Sequence, residues 1–505
     1  MTSCGPSHGE RRLHLSVGRR DLTELVFRDC AMLTEPAEAL CQRGTSSKNK
    51  RWRCYRGAAS PLRRCEVPLA GEGGVVRGVP MRGKSAIKFR MSAMRTSTTL
   101  VTTLAVALCA ASAQAQSART TPLTVKIGVL SDMAGLYADI GGQGSVIAAR
   151  MAVEDFNPAS HNMKVEIVSA DHQNKPDVGS AIARRWYDVD HVNAIADVPN
   201  SGVALAVSNV AREKNGVFLI SGAADSDLTN KQCSPNSVHW TYDTWALAHG
   251  TGEAVVRNGG KTWFFITADY AFGHALERDT AAVVKSAGGE VLGAVRHPLN
   301  TADFSSFLLQ AQGSKAQVIG LANAGGDTIN AVKQAAEFGI VERGQRLAGL
   351  LVFLTDVHAL GLSAARGLTL TTAFYWDMND ETRAFAKRFA AADDGKYPTM
   401  VQAGVYSSVL HYLEAVDKVG SSTDGAKVVE AMKATRYDDP LFGDTEVRQD
   451  GRAVHAMYLV EVKKPSESRG TYDYFKILAK IPADKAFRPL MDEKGTCDLV
   501  KSTSQ

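Results

Sequence analysis

Past residue 115 the chain holds only two cysteines, Cys233 and Cys497, of the eight in the whole sequence. No apolar run in that part reaches the ~20 residues that carry a helix across a bilayer, which excludes a helical span there. It has no G-x4-G-K-[ST] phosphate loop and no G-x-S-x-G nucleophile elbow. Gly142, Gln143 and Gly144 begin like a dinucleotide fingerprint, but Ile147 stands where the last glycine is needed. His172, His239, His274, His297 and His358 are scattered without a metal-ligand spacing. These absences argue against an enzyme, a cofactor and a bound metal.

What is present begins with Met91 to Ala115, which reads as a secretory signal peptide. Arg95 gives a short positive region, Leu100 to Ala113 is uncharged and mostly apolar, and Ala113, Gln114 and Ala115 form an A-x-A site before Gln116. The leader is expected to direct the chain to the periplasm, with cleavage after Ala115. Leu108 before Cys109 is a poor match to a lipoprotein site, so a soluble product is expected. Because such a signal is read at an N-terminus, Met91 or Met94 is the expected start. Residues 1–90 are then non-native upstream translation, expected to be disordered. That stretch holds 18 Lys plus Arg against 8 Asp plus Glu and five of the cysteines. It accounts for the formal +5 of the whole chain, since the part beyond Ala115 has 39 basic and 45 acidic residues. Nucleic-acid binding is therefore not expected. Two lone cysteines in a secreted chain suggest one disulfide, Cys233 to Cys497; two unpaired thiols are the alternative.

About 390 residues remain, enough for two domains. Strand-like runs at Val125 to Leu130, Val165 to Ala170, Val192 to Val198 and Val217 to Ser221 alternate with helical segments at Gly144 to Phe156, Val178 to Val189 and Val203 to Lys214. A second series follows from Asp243: helix Trp245 to Arg257, then strands Trp263 to Thr267, Glu290 to Val295, Gln317 to Leu321 and Leu347 to Phe353, with helices between. This is the pattern of an α/β fold with two doubly wound, Rossmann-like lobes. Gly367 to Trp376 reads as a strand, and the helices Asp380 to Ala392, Val401 to Val419 and Gly425 to Thr435 then follow without strands between them. A D-G turn at Gln449 to Arg452 is expected to join Glu446 to Arg448 with His455 to Val462. A chain built this way returns to its first lobe, and the crossing strands would form a hinge, with Tyr242 and Asp243 as candidate hinge residues.

In open α/β sheets ligands lie beyond the carboxyl ends of the strands. Asn200 and Ser201 follow one such strand and open a helix, an anion-binding arrangement as well as a plain helix cap. Ser221, Ala223 and Ala224 repeat the device one strand later. Aromatics on facing loops, Tyr137, Tyr270, Phe272 and Trp376, are candidates for an apolar wall and equally for core. Asn323 is a candidate hydrogen-bonding group or a loop brace.

The order of several segments resembles the branched-chain amino acid type of ABC-transporter substrate-binding protein. The resemblance is carried by Val125 to Asn157, by Ile220-Ser221-Gly222-Ala223-Ala224 with Asp227-Leu228-Thr229, by Asp269-Tyr270-Ala271-Phe272-Gly273, by Gly367 to Thr371 and by Pro398 to Tyr406. It implies a type I periplasmic binding fold, with three crossovers and a small ligand in the cleft between lobes. Lobe one would comprise 123–243 plus 375–447, and lobe two 244–374 plus 448–500. The resemblance also implies that the Ser201 and Ser221 to Ala224 loops hold a ligand carboxylate, and that Phe272 stands where relatives usually have Tyr. It implies as partners an inner-membrane ABC permease with cytoplasmic ATPase subunits; a monomer is expected. A ligand-sensing module of a receptor or regulator uses the same fold and remains an alternative.

Amino-acid-binding members place a carboxylate after the strand corresponding to Leu347 to Phe353, where it pairs with the ligand ammonium. Here Gly349 to Leu354 is apolar and the next acid is Asp356. An unpaired ammonium in a closed cleft costs several kcal/mol, so an aromatic or aliphatic organic acid is the expected ligand. A branched-chain or other amino acid is the alternative, with Asp327 or Asp356 as the pairing acid.

Overall fold

The computed structural model describes residues 40–43, 52–55, 121–490 and 497–500. Leu40–Arg43 and Trp52–Tyr55 form an antiparallel strand pair. The remainder of 1–90 and the expected leader at 91–115 lie outside the described residues.

In the body, β1 (Leu123–Ser131), α1 (Gly142–Phe156), β2 (Met163–Asp171), α2 (Pro176–Asp188), β3 (Ala194–Asp197), α3 (Ser201–Lys214), β4 (Val217–Ile220) and β5 (Ser237–His239) follow one another. The five strands make one parallel sheet in the order β2-β1-β3-β4-β5. β3 and β4 are buried at every residue, as expected of central parallel strands covered on both faces. Asn157 and Asn215, both with φ 52°, end α1 and α3 in the left-handed region that asparagine tolerates at a helix C-terminus.

The chain crosses to the second lobe at 240–243 and enters a helical run over 244–257 containing a π turn, Ala248–Gly252. Then come β6 (Thr262–Ala268), α4 (Ala271–Ser286), β7 (Glu290–His297), α5 (Ser305–Gly313), β8 (Val318–Ala322), α6 (Gly326–Glu337), β9 (Arg346–Gly349), α7 (Leu354–Leu360) and β10 (Thr369–Thr372). Strands β6 to β9 form a second parallel sheet, ordered β9-β8-β6-β7. The expected strand Leu347 to Phe353 stops at Gly349. Leu350 to Phe353 are buried but have no partner strand, and run on as a loop toward the first lobe.

A second crossing returns the chain to lobe one, where α8 (Asp380–Ala392), α9 (Met400–Val419) and α10 (Gly425–Lys433) cover the sheet and α9 packs along α1. Thr399 and Gln402 make a reciprocal capping box at the start of α9. β11 (Arg436–Asp439), β12 (Gly443–Val447) and β13 (Ala453–Val454) form a small antiparallel sheet. The D-G turn therefore closes a hairpin between β12 and β13, not with the long strand that follows. His239 also bridges Arg452. Lobe one thus extends through Val454, and the boundary expected at 447 moves to a third crossing at 455–456. β14 (Met457–Val462) then pairs antiparallel with β10 of lobe two on one edge and with β15 (Phe475–Ile481) on the other.

Beyond β15 the tail does not stay in lobe two. Phe487 packs on His455 and under the Arg452 guanidinium, Arg448 donates to the Arg488 carbonyl, and Cys497 is disulfide-bonded to Cys233 of lobe one. Arg452 itself is fully buried at the crossings. It donates to the carbonyls of Trp240 (2.7 Å), Tyr242 (2.9 Å) and Ala453 (2.9 Å) and lies 3.7 Å from Asp243. Burial pulls its pKa down to about 10, which leaves it charged.

Candidate functional site

The two lobes meet at a cavity walled by both. Lobe one and the first crossing contribute Tyr137, Ile140, Pro199, Gly222, Ala224 and Tyr242; lobe two contributes Tyr270, Phe272, Ala324, Leu351 and Phe353. No charged side chain is in this lining.

Each wall has a local cause. The Asp132 carboxylate accepts from Gly135 N (2.7 Å), Tyr137 N (2.8 Å) and Asn174 Nδ2 (2.6 Å), folding the loop after β1 so that Tyr137 and Ile140 face the cleft. Thr399 Oγ1 donates to the Ile140 carbonyl (2.7 Å), bracing that loop from α9. Below Pro199, Asp197 and Val198 have φ of 81° and 59°, a backbone conformation costly for a β-branched residue and common at binding sites. Gly222 lies against Pro199, where a Cβ would come within 2.7 Å of the Pro199 Cα. Asp197 is fully buried beneath this floor; Ser131 Oγ donates to its Oδ2 (2.7 Å), and its Oδ1 has no partner. Burial pushes its pKa up to about 6.

Across the cleft the Tyr137 and Tyr270 hydroxyls meet at 2.6 Å. Gly325, with φ 59°, lets the second lobe approach, since a Cβ there would lie 2.8 Å from the Leu136 carbonyl. Burial first, and then the neighbouring phenol, holds the Tyr137 pKa well above its ordinary value; burial does the same for Tyr270. Both therefore serve as neutral hydrogen-bonding groups. The Tyr242 hydroxyl donates to the Gly222 carbonyl (2.6 Å). Tyr270 and Gly325 precede α4 and α6 without side-chain caps, so first-turn N–H groups and positive helix ends lie beside the cavity.

Of the residues singled out from sequence, Tyr137, Ala224, Tyr270 and Phe272 line this cavity, whereas Asn200, Ser201, Ser221, Ala223, Asn323 and Trp376 do not. Asn200 caps α3 by accepting from Val203 N (3.1 Å). The Ser201 hydroxyl accepts from Ala224 N and Asp225 N (3.3 Å each), bracing the wall from behind. Ser221 turns to Ser408 of α9 (3.4 Å), and the Ala223 carbonyl accepts from His239 Nε2 (2.8 Å). Asn323 is spent on Thr328 and His297 inside lobe two. Trp376 donates to the Tyr472 carbonyl (2.7 Å) and packs on Tyr397 outside the cavity. Ile140, Pro199, Ala324, Leu351 and Phe353 were not singled out, and Gly222 only as part of the Ser221 to Ala224 loop; the apolar run at 349–354 was the one sequence signal for Leu351 and Phe353.

The two acids considered as ammonium partners are already engaged. Asp327 accepts from Asn300 N (3.2 Å) and Thr301 N (2.8 Å), and Asp356 accepts from Phe353 N (2.9 Å). Burial raises Asp327 to about 6 and Asp356 to about 7. The native protein thus holds the Asp356 proton up to about pH 7, whereas an unfolded aspartate releases it near pH 4. As pH rises through that window the unfolded state gains relative to the native one. Asp356→Asn keeps an acceptor for Phe353 N and removes the titration. It is expected to raise unfolding free energy at pH 8 by about 2–4 kcal/mol, with no gain near pH 4. Urea melts of both proteins across pH 4–8 check this; a pH-independent difference would remove the assigned cause. Among the described residues no cluster of metal-ligating side chains occurs.

Two doubly wound lobes closed on a cavity walled by both define a two-domain solute-binding protein. Residues 124–470 match the model of a family described as periplasmic binding protein, and the chain belongs to that family. It is 52% identical to a periplasmic binding protein from Burkholderia mallei, over 75% of this chain and 99% of that one, with a TM-score of 0.72. It is 41% identical to a branched chain amino acid ABC transporter periplasmic ligand-binding protein from Burkholderia xenovorans LB400, over 74% and 99% of the two chains, with a TM-score of 0.66. It is 29% identical over 364 residues to Leu/Ile/Val-binding protein homolog 6 from Brucella melitensis, covering 69% of this chain and 89% of that protein. The family comprises solute-binding components of ABC transporters and not enzymes.

Proposed function

We propose that this protein captures a small organic acid, a carboxylate on an apolar aromatic or aliphatic body, and delivers it to an inner-membrane ABC permease driven by cytoplasmic ATPase subunits. The observation that carries this reading is the cavity wall: tyrosine hydroxyls, uncapped helix starts and apolar side chains, with no carboxylate to receive an ammonium. Neutral donors and positive helix ends suit a carboxylate. The rings of Phe272 and Phe353 suit an apolar body. The ligand touches both lobes and so favours the closed arrangement by its differential contacts, which the permease would then read. A periplasmic site of action follows from the expected leader and from the family.

The names of the relatives favour a second reading, a branched-chain amino acid, with Asp327 turning from its loop to meet the ammonium. Calorimetric titration with phenylalanine and with 3-phenylpropanoate, which differ only by the amine, separates the two. The deaminated acid is expected to bind at least ~100-fold more tightly, the equivalent of about 3 kcal/mol. Tighter binding of phenylalanine would overturn the organic-acid reading. Phe272→Ala and Ser201→Ala are each expected to weaken acid binding while leaving the protein folded; unchanged affinity in both would remove the site.

A further inference from the structure

A second pocket adjoins the first, lined by Val352, Leu354, Thr372, Tyr375, Met400 and neighbouring side chains, and Phe353 belongs to both linings. The two are also joined through one hydrogen bond, since Thr399 of the second space donates to the carbonyl of Ile140 in the first. Its lining is apolar apart from the hydroxyls of two threonines and of Tyr375, the last of which donates to the Tyr472 carbonyl (3.1 Å). Thr399 is spent on Ile140 and Thr372 on the Phe374 carbonyl (2.8 Å), so nothing there calls for a charged or strongly polar occupant. It is bounded by both lobes and the second crossing, as the first is by both lobes and the first crossing.

Phe353 is the one residue common to both linings. Phe353 stands edge-on to Tyr242 at 6.2 Å between ring centroids, and its hydrogen bonds are made by its backbone alone, the N–H donating to Asp356 and the carbonyl accepting from Val357 N (3.2 Å). Its ring turns about side-chain torsions without breaking a hydrogen bond, whereas the Tyr137–Tyr270 pair and the Gly222 floor at the other end are fixed by hydrogen bonds and backbone.

We propose that the ligand site is bipartite, the second space being a tail compartment and Phe353 the partition that sets how long an acid the protein accepts. The ligand class is then monocarboxylic acids with an apolar tail longer than a single ring, arylalkanoic or medium-chain alkanoic, with the carboxylate held near the tyrosine pair and the tail passing Phe353. This rests on the organic-acid reading above and deepens it.

The test compares benzoate with 4-phenylbutyrate by calorimetry on the wild-type protein, Phe353→Ala and Leu354→Trp, with folding of each checked by thermal melt. The quantity read is the ratio of the benzoate Kd to the 4-phenylbutyrate Kd. It is expected to exceed one in the wild type, to rise at least tenfold when Phe353→Ala opens the partition, and to fall at least tenfold when Leu354→Trp fills the tail compartment. Ratios that stay within twofold of wild type in both variants overturn the proposal while benzoate binding leaves the organic-acid reading intact. If the wild type binds neither acid, both fall together.

Discussion

Replacing Arg452 with alanine is expected to lower the unfolding free energy by about 3–5 kcal/mol, the range for removing one member of a buried charged network. The guanidinium is fully buried and serves the carbonyls of Trp240, Tyr242 and Ala453 at once. Its loss takes a donor from each of those carbonyls and leaves Asp243 without its cation. It also removes the face on which Phe487 lies, 4.4 Å from the guanidinium carbon. Arg452→Met restores volume but not donors, so it is expected to recover less than half of the loss. Urea unfolding with an unchanged slope measures this. A methionine variant as stable as wild type would mean that packing, and not the hydrogen bonds, is what the arginine supplies.

The second large effect concerns the Cys233–Cys497 bond, whose partners are 264 positions apart. A cross-link closing so long a loop restricts the unfolded chain, and its removal is expected to cost about 2–4 kcal/mol. Reductant should lower the melting temperature of the wild-type protein and leave that of Cys233→Ser/Cys497→Ser unchanged. The variant should then melt with the reduced wild type. Equal melting temperatures for oxidised and reduced wild type would show that the tail is held by Phe487 and Arg488 alone.

Much of the architecture was legible because central parallel strands are short apolar runs and the helices between them carry their own stop signals, as Asn157 and Asn215 do. The strands that escaped notice, Ser237–His239, Arg436–Asp439, Ala453–Val454 and Phe475–Ile481, are short, polar or edge segments. Each pairs with a strand near in sequence, so a weak apolar pattern hid them and not the distance of their partners. Leu350 to Phe353 misled in the opposite direction. An apolar run is buried either as a strand or as a cavity wall, and its composition does not say which. The site divided along a similar line. Tyr137, Tyr270 and Phe272 were visible as aromatics on loops near strand ends, and Trp376, visible in the same way, packs outside the cavity. Asn200, Ser201 and Asn323 were visible too, but a small polar side chain satisfies itself on the nearest backbone or side-chain group, and each did so. Pro199 left no signal because it contributes shape.

The return of the tail to lobe one bears on how the molecule is assembled in time. The parallel sheet β6 to β9 of lobe two comes from one uninterrupted stretch, with mostly local contacts. Lobe one is drawn from three separated pieces, and Arg452 must find Trp240 across 212 positions. Long-range closure of this kind is the slow part of folding. A chain emerging from its N-terminal end therefore has the whole sheet of lobe two before lobe one receives its covering helices, its small hairpin or its tail. Cys233 must wait as a thiol until Cys497, almost the last residue described, has emerged.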